Sequence, residues 1–413
     1  MLNSLPCTSS PKKSKQKIQI PDLSGRAAER LERSGSTAEG GNHISCPPQV
    51  ANRSFDALEI NYKIDYLRTV RLWERLDAKK FALLSGIEQE VAFEFMQTND
   101  DFGFSLQRQG KKFFPYMLRS GDIFLALSSR SHESNMPNMS LKIGSLTCQG
   151  DLDNFFLNFH HFLRMLGCKV ASCTVSRVDI CADIAISIKK AGLQDLSKQV
   201  CRSGKTALYF SQKEFSGTHI GTGSISCRVY DKIKEMDDKQ DMVKKVFFHG
   251  KWGQSGLNYT DITRVEFQLR RDFLKEIKVN TYKDLVSRVN EIWAYCTENW
   301  LRYTTQSIDR KNKHQSNQTL VSEFWQIVQR AFDKAAPVVR EKVQNYCNME
   351  ALGKQIRGCM TSIMASVGFD KNDYFGMIFT CRKFITEAME DYLLSPEFDS
   401  RFTARQKRYC PTL

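Results

Sequence analysis

Three stretches of this chain alternate polar and apolar side chains one residue at a time, and that period of two most limits how the chain can fold. In Arg177-Val178-Asp179-Ile180-Cys181-Ala182-Asp183-Ile184, the residues Val178, Ile180, Ala182 and Ile184 share one side, and Arg177, Asp179 and Asp183 share the other. From Ser224 to Lys232, Ile225, Cys227 and Val229 oppose Ser224, Ser226, Arg228, Tyr230 and Lys232. From Thr263 to Arg270, Val265, Phe267 and Leu269 oppose Arg264, Glu266 and Arg270. Successive side chains of a strand point to opposite faces, so each stretch reads as a half-buried strand. One such strand is what any antiparallel sheet with a wet face shows. Taken singly, the tyrosine is packing and each Arg-x-Asp or Arg-x-Glu is a surface ion pair. Paired in one sheet, the three polar faces become one surface with carboxylates, cations and a tyrosine hydroxyl.

That combination is the chemistry of phosphodiester attack. Tyr230 stands between Arg228 and Lys232 on its face. A free tyrosine has a pKa of about 10, and flanking cations favour the phenolate. Asp179 and Glu266, with Asp183 as a further or alternative ligand, supply oxygen donors suited to Mg²⁺ or Mn²⁺. Arg177, Arg264, Arg270 and Arg271 are expected at DNA phosphates or orienting the carboxylates. The 13 cysteines are scattered from Cys7 to Cys410 without a C-x-x-C pair, so a zinc site is not expected. His160 and His161 are adjacent, not spaced as a metal-binding pair.

A net charge of +14 over 413 residues calls for a polyanionic partner. Neither a bilayer-spanning apolar run nor a secretory core is apparent, so the expectation is a cytoplasmic protein acting on nucleic acid, with no membrane. Residues 1–53 read as a disordered polar and basic extension, 54–308 as the catalytic domain, and 309–413 as a helical C-terminal region with a basic tail (Arg401, Arg405, Lys407, Arg408). Within the middle span, Leu67, Val70, Trp73 and Leu76 recur at helical spacing. Val91–Phe95, Phe102–Leu106, Ile123–Leu127 and Leu141–Ile143 are candidate strands. Asp151 can cap a helix whose stripe of Leu152, Phe155, Phe156, Phe159, Phe162, Leu163 and Leu166 ends at Gly167. Leu285, Val289, Ile292, Trp293, Cys296 and Trp300 mark a long amphipathic segment. The pattern predicts an α+β fold, a mostly antiparallel sheet backed by helices, followed by a helical C-terminal region.

Arg177-x-Asp179-x-x-x-Asp183, Arg228-x-Tyr230-x-Lys232 and Arg264-x-Glu266, in that order, are followed by Trp300-Leu301-Arg302-Tyr303, a polar break and Phe324-Trp325. Over roughly residues 55–332 this set resembles the replication initiation factors of rolling-circle plasmids and integrative conjugative elements, the trans-acting Rep type. The resemblance implies a bacterial, origin-binding, nicking-closing enzyme. Its tyrosine, here Tyr230, attacks one strand, keeps the 5′ phosphate and leaves a 3′ hydroxyl as primer. It also implies that Asp179, Asp183 and Glu266 are the acidic residues of the site, that the protein forms homodimers, and that a host helicase is recruited. Two other classes stand beside it: a metal-dependent hydrolytic nuclease in which Tyr230 only packs, and a non-catalytic origin-binding protein.

Overall fold

The computed structural model describes residues 49–65, 70–86, 91–92, 102–165, 167–257, 259–309, 313–341, 349–368, 370 and 372–409. Thirteen strands are present among them: β1 (Val50–Asp65), β2 (Val91–Ala92), β3 (Ser105–Leu106), β4 (Tyr116–Ser120), β5 (Ile123–Leu127), β6 (Met139–Ile143), β7 (Lys169–Ile184), β8 (Gln199–Cys201), β9 (Thr206–Ser211), β10 (Glu214–Ile220), β11 (Ile225–Asp231), β12 (Thr263–Arg270) and β13 (Leu301–Tyr303). Eleven form one antiparallel sheet in the order β2-β3-β4-β5-β6-β1-β7-β12-β11-β10-β9, and β13 pairs with β8 apart from it. The fold is α+β, as expected.

The three alternating stretches become β7, β12 and β11, and they are neighbours. Their apolar sides (Val178, Ile180, Val265, Phe267, Cys227, Val229) enter the main core. Helices cover that side of the sheet. The Leu152–Met165 helix is started by Asp151, whose Oδ1 accepts from the Asn154 amide at 3.0 Å, and it buries Phe156, Phe159 and Leu163. The Tyr282–Ala294 helix begins on a reciprocal cap between Thr281 and Asp284 and buries Leu285, Ile292 and Trp293. It continues as a π-helical turn, Tyr295–Trp300. That turn sets Trp300 against Gly221, at the β10–β11 connection. Gly221 has φ +81°, and a Cβ there would lie 3.0 Å from the Trp300 ring, so both backbone and space call for glycine.

The structure redraws two of the expected limits. β1 begins at Val50, with Val50, Ala51 and Asn52 buried, inside the span read as extension. Beyond residue 308, Phe324, Trp325, Val328, Ala331 and Phe332 pack in the main core, and Trp325 Nε1 donates to the Thr297 carbonyl at 2.9 Å. The helices Met349–Val367, Tyr374–Leu393 and Phe398–Tyr409 follow. Residues 1–48, Leu67, Leu166 and residues 93–95 of the first candidate strand lie outside the described residues.

Candidate active site

The polar sides of β1, β7, β12, β11 and β10 share the opposite face of the sheet. Register fixes the rows. Arg228 lies opposite Glu266, Glu266 opposite Cys181, and Cys181 opposite Ser54. One step along, Tyr230 lies opposite Arg264, and Arg264 opposite Asp183. Directly opposed residues point the same way, so the strands deliver their functional groups to one surface.

At its centre, Tyr230 Oη donates to Glu266 Oε2 at 3.0 Å. Arg228 Nη2 donates to Glu266 Oε1 and to Asp179 Oδ2, the latter at 3.0 Å. Asp179 is also gripped by Arg177, Nε to Oδ1 at 2.8 Å and Nη2 to Oδ2 at 2.5 Å. Burial, and then the neighbouring Asp56 charge, push the Glu266 carboxyl up to about 7. Burial and the Glu266 charge push the Tyr230 phenol well above its usual value. Both shifts favour the neutral phenol, hydrogen-bonded to Glu266. That differs from the expectation of a phenolate favoured by flanking cations.

Lys232 explains part of the difference. The strand ends at Asp231, whose side chain caps the Lys232–Asp238 helix. Lys232 thus opens a helix instead of continuing the strand face. It is buried, with Nζ 2.9 Å from Glu235 Oε2 and 5.6 Å from the centre of the Tyr230 ring. It braces the ring without meeting the hydroxyl.

Two other expected residues turn inward. Asp183 is fully buried and accepts from Arg264 Nε at 2.6 Å, Arg264 Nη2 at 2.8 Å, Trp252 Nε1 at 2.9 Å and Asn52 Nδ2 at 3.3 Å. Burial alone would raise its carboxyl; Arg264 and Trp252 outweigh that and hold it below the usual value. With these four donors it has no side left for an ion. Arg264 is equally buried, shared between Asp183 and Asp56, with Phe248 beneath its guanidinium at 4.6 Å. It cannot contact DNA, and this pair is a structural post under the site. Arg271 donates to the carbonyls of Val175 at 3.0 Å and Val279 at 2.8 Å, and to Asn280, so it ties β7 to the loop before the Tyr282–Ala294 helix and is not free for phosphate. Arg270 is exposed at the end of β12, opposite Arg177.

Asp56 and Glu59 belong to the site and were missed. Register slips between Phe55 and Ala57, leaving Asp56 as an extra residue turned toward Arg264, while Glu59 meets Arg177 at 3.5 Å. The clean alternation Leu58-Glu59-Ile60-Asn61-Tyr62-Lys63-Ile64-Asp65 was the available signal for this strand.

A solved structure resembles this one. It is the rolling circle replication initiator protein from Geobacillus stearothermophilus, 14% identical, with a TM-score of 0.39, covering 70% of this chain and 99% of that chain. At that distance the likeness assigns no residue. No family model matches the chain, and no curated protein sequence does.

The carboxylates can also be judged as hosts for a divalent ion. Among the described residues, no three or more His, Cys, Asp or Glu side chains are grouped around one point. Asp179 and Glu266 nevertheless converge closely enough for a single nitrogen of Arg228 to bond both. Two carboxylates suit Mg²⁺, which commonly completes its shell with water and substrate phosphate. An ion on this pair would have to take the place of Arg228, and Asp179 also holds two nitrogens of Arg177; Asp183, with four donors, is still more fully committed.

Proposed function

We propose that this protein starts rolling-circle replication by nicking one strand of its origin through tyrosine transesterification. The observation that carries this is the Tyr230–Glu266 hydrogen bond, set on a sheet face with Arg228 alongside. Tyr230 Oη attacks the scissile phosphorus and forms the phosphotyrosine bond. Its proton passes to Glu266, the P–O3′ bond breaks, and the departing 3′ oxygen takes up a proton to become the primer hydroxyl. No phosphodiester energy is lost to water, so the same 3′ hydroxyl can reverse the step. Arg228 is 40% exposed at the lip of the site and is the cation placed to meet the phosphate. Arg177 holds Asp179 in position. A divalent ion, Mg²⁺ or Mn²⁺, held by Asp179 and Glu266, would supply charge neutralisation at the phosphoryl oxygens.

Origin DNA is the partner of this reading, with Arg270 a candidate phosphate contact outside the centre. Homodimerisation and recruitment of a host helicase belong to the same proposal. Phe375, Ile378 and Phe379, exposed on the Tyr374–Leu393 helix, offer a second copy an apolar face to bury.

The test is incubation with a supercoiled plasmid carrying the protein's own origin, with and without Mg²⁺, followed by mass spectrometry for protein-linked DNA. Wild-type protein is expected to yield a nicked circle and a nucleotide on Tyr230. Tyr230→Phe keeps the ring and removes the nucleophile, so nick and adduct should both vanish, with at most about 1 kcal/mol of stability lost with the hydrogen bond. Nicking by Tyr230→Phe without adduct would mean hydrolysis by water, and an adduct elsewhere would displace Tyr230 from its role.

A further inference from the structure

The sheet continues past the candidate nucleophile to its edge, and the residues there are unusual for a wet face. Gly217 on β10 lies opposite Tyr230 on one side and opposite Tyr209 on β9 on the other. Tyr209, Gly217 and Tyr230 therefore form one row on one face, with Tyr209 about 10 Å from Tyr230 at two strand spacings. The neighbouring row is Ala207, His219 and Arg228. Between the two tyrosines the floor carries no side chain. It has no room for one: a Cβ on Gly217 would lie 2.9 Å from the Val229 carbonyl and 3.2 Å from Tyr230 Cβ.

Tyr209 does not follow Leu208 toward the core. Leu208 packs against the core from the other face, while Phe210, also exposed, leans on Phe215 at 5.9 Å. Tyr209 is 53% exposed. Lys205 and Lys213 are exposed just beyond the two ends of β9, and Arg228 stands at the inner end of the adjoining row. An exposed aromatic ring, a bare floor and flanking cations are what a single nucleic-acid strand uses: bases stack on rings and the backbone follows the charge.

We propose that this edge is a binding site for single-stranded DNA, in which Tyr209 stacks a base beside the scissile phosphate and the strand crosses Gly217 to reach Tyr230. The placement of the phosphate rests on the nicking function proposed above; the stacking itself does not. Tyr209 is here a positioning residue, since its hydroxyl has no part in the attack.

The experiment measures binding separately from chemistry. A fluorescein-labelled thymine homopolymer of about 16 nucleotides, the upper end of one groove's site size, is titrated by anisotropy in chelator, beside an abasic oligomer of equal length. Tyr209→Ala is expected to weaken thymine binding roughly ten-fold, within the range of one base–aromatic stack, and to leave abasic binding unchanged. Tyr209→Trp should restore it. Three results overturn the proposal: no binding of the thymine oligomer by wild-type protein, equal affinity of wild type and Tyr209→Ala, or an equal loss on the abasic oligomer. A change of oligomeric state in Tyr209→Ala with thymine binding unaltered also overturns it, because a second copy would then own this edge. Tyr230→Phe keeps its ring and should bind as wild type does. An adduct with no Tyr209 effect would sink the stacking site alone, and a Tyr209 effect with no adduct would sink the nicking function alone.

Discussion

Glu266 meets two conflicting demands. To take a proton from Tyr230 it must be ionised, yet it is buried beside Asp56 and Asp179, and its carboxyl is raised to about 7. The consequence for stability has a definite sign. The folded carboxyl keeps its proton up to about pH 7, whereas an unfolded glutamate releases it near 4.3. Folding is therefore favoured by this group at low pH, and the contribution fades as pH rises through about 7. Glu266→Gln removes the cost of the buried charge. In chelator, its melting temperature should exceed that of wild type at about pH 8, by an amount on the order of 2–4 °C for each kcal/mol gained. The difference should shrink toward about pH 5, where both side chains are neutral. Nicking should be lost at every pH. A variant less stable than wild type at the higher pH would show that the Arg228 and Tyr230 bonds to the charged carboxylate outweigh its burial.

Elements differ in how openly their sequence declares them. β7, β11 and β12 were legible because each alternates apolar with polar side chains without a break in the stretch read, although in β7 and β12 burial extends to the polar face as well. The Leu152–Met165 and Tyr282–Ala294 helices were legible from their apolar stripes and caps. β1 was harder: the bulge at Asp56 interrupts its period, and the clean alternation beyond it, which carries Glu59, went unread. The alternation also says which way a side chain points, not what lies above it. Asp183 and Arg264 fall on the polar face as read, but the helix Met242–Gly253 covers that end with Trp252 and Phe248. Coverage of this kind arises from sequence some seventy residues away, and no local pattern reports it. It sets two carboxylates of the same strand apart. Asp183→Ala strips the partner from a fully buried arginine and should cost about 3–5 kcal/mol, read as a lower urea midpoint. Asp179 is itself buried, but Asp179→Ala leaves Arg177 and Arg228, 25% and 40% exposed, able to reach water, so a smaller loss, about 1–3 kcal/mol, is expected while nicking disappears. Equal destabilisation by the two substitutions would undo the distinction.

At the scale of the whole molecule, charge is the dominant property. The chain carries 60 Lys and Arg against 46 Asp and Glu. At the candidate site the arginines are largely spent on carboxylates: Arg177 on Asp179, Arg264 on Asp183 and Asp56, Arg228 on both Asp179 and Glu266. The excess that gives +14 therefore lies outside this centre. This separates affinity from chemistry. Groups that neutralise phosphates release condensed counterions, and the logarithm of affinity then falls linearly with the logarithm of salt, by about 0.9 for each duplex phosphate contacted. Even three or four such contacts would lower duplex affinity roughly 40- to 150-fold between about 50 and 200 mM salt. Since the buried site residues contribute little to that sum, Tyr230→Phe and Asp179→Ala should show the same salt slope as wild type, measured by filter binding on origin DNA in chelator. An affinity flat across that salt range would remove the electrostatic account of binding. A slope steeper by about one unit in Asp179→Ala would mean that the freed Arg228 holds a phosphate when DNA first binds, before any bond is broken.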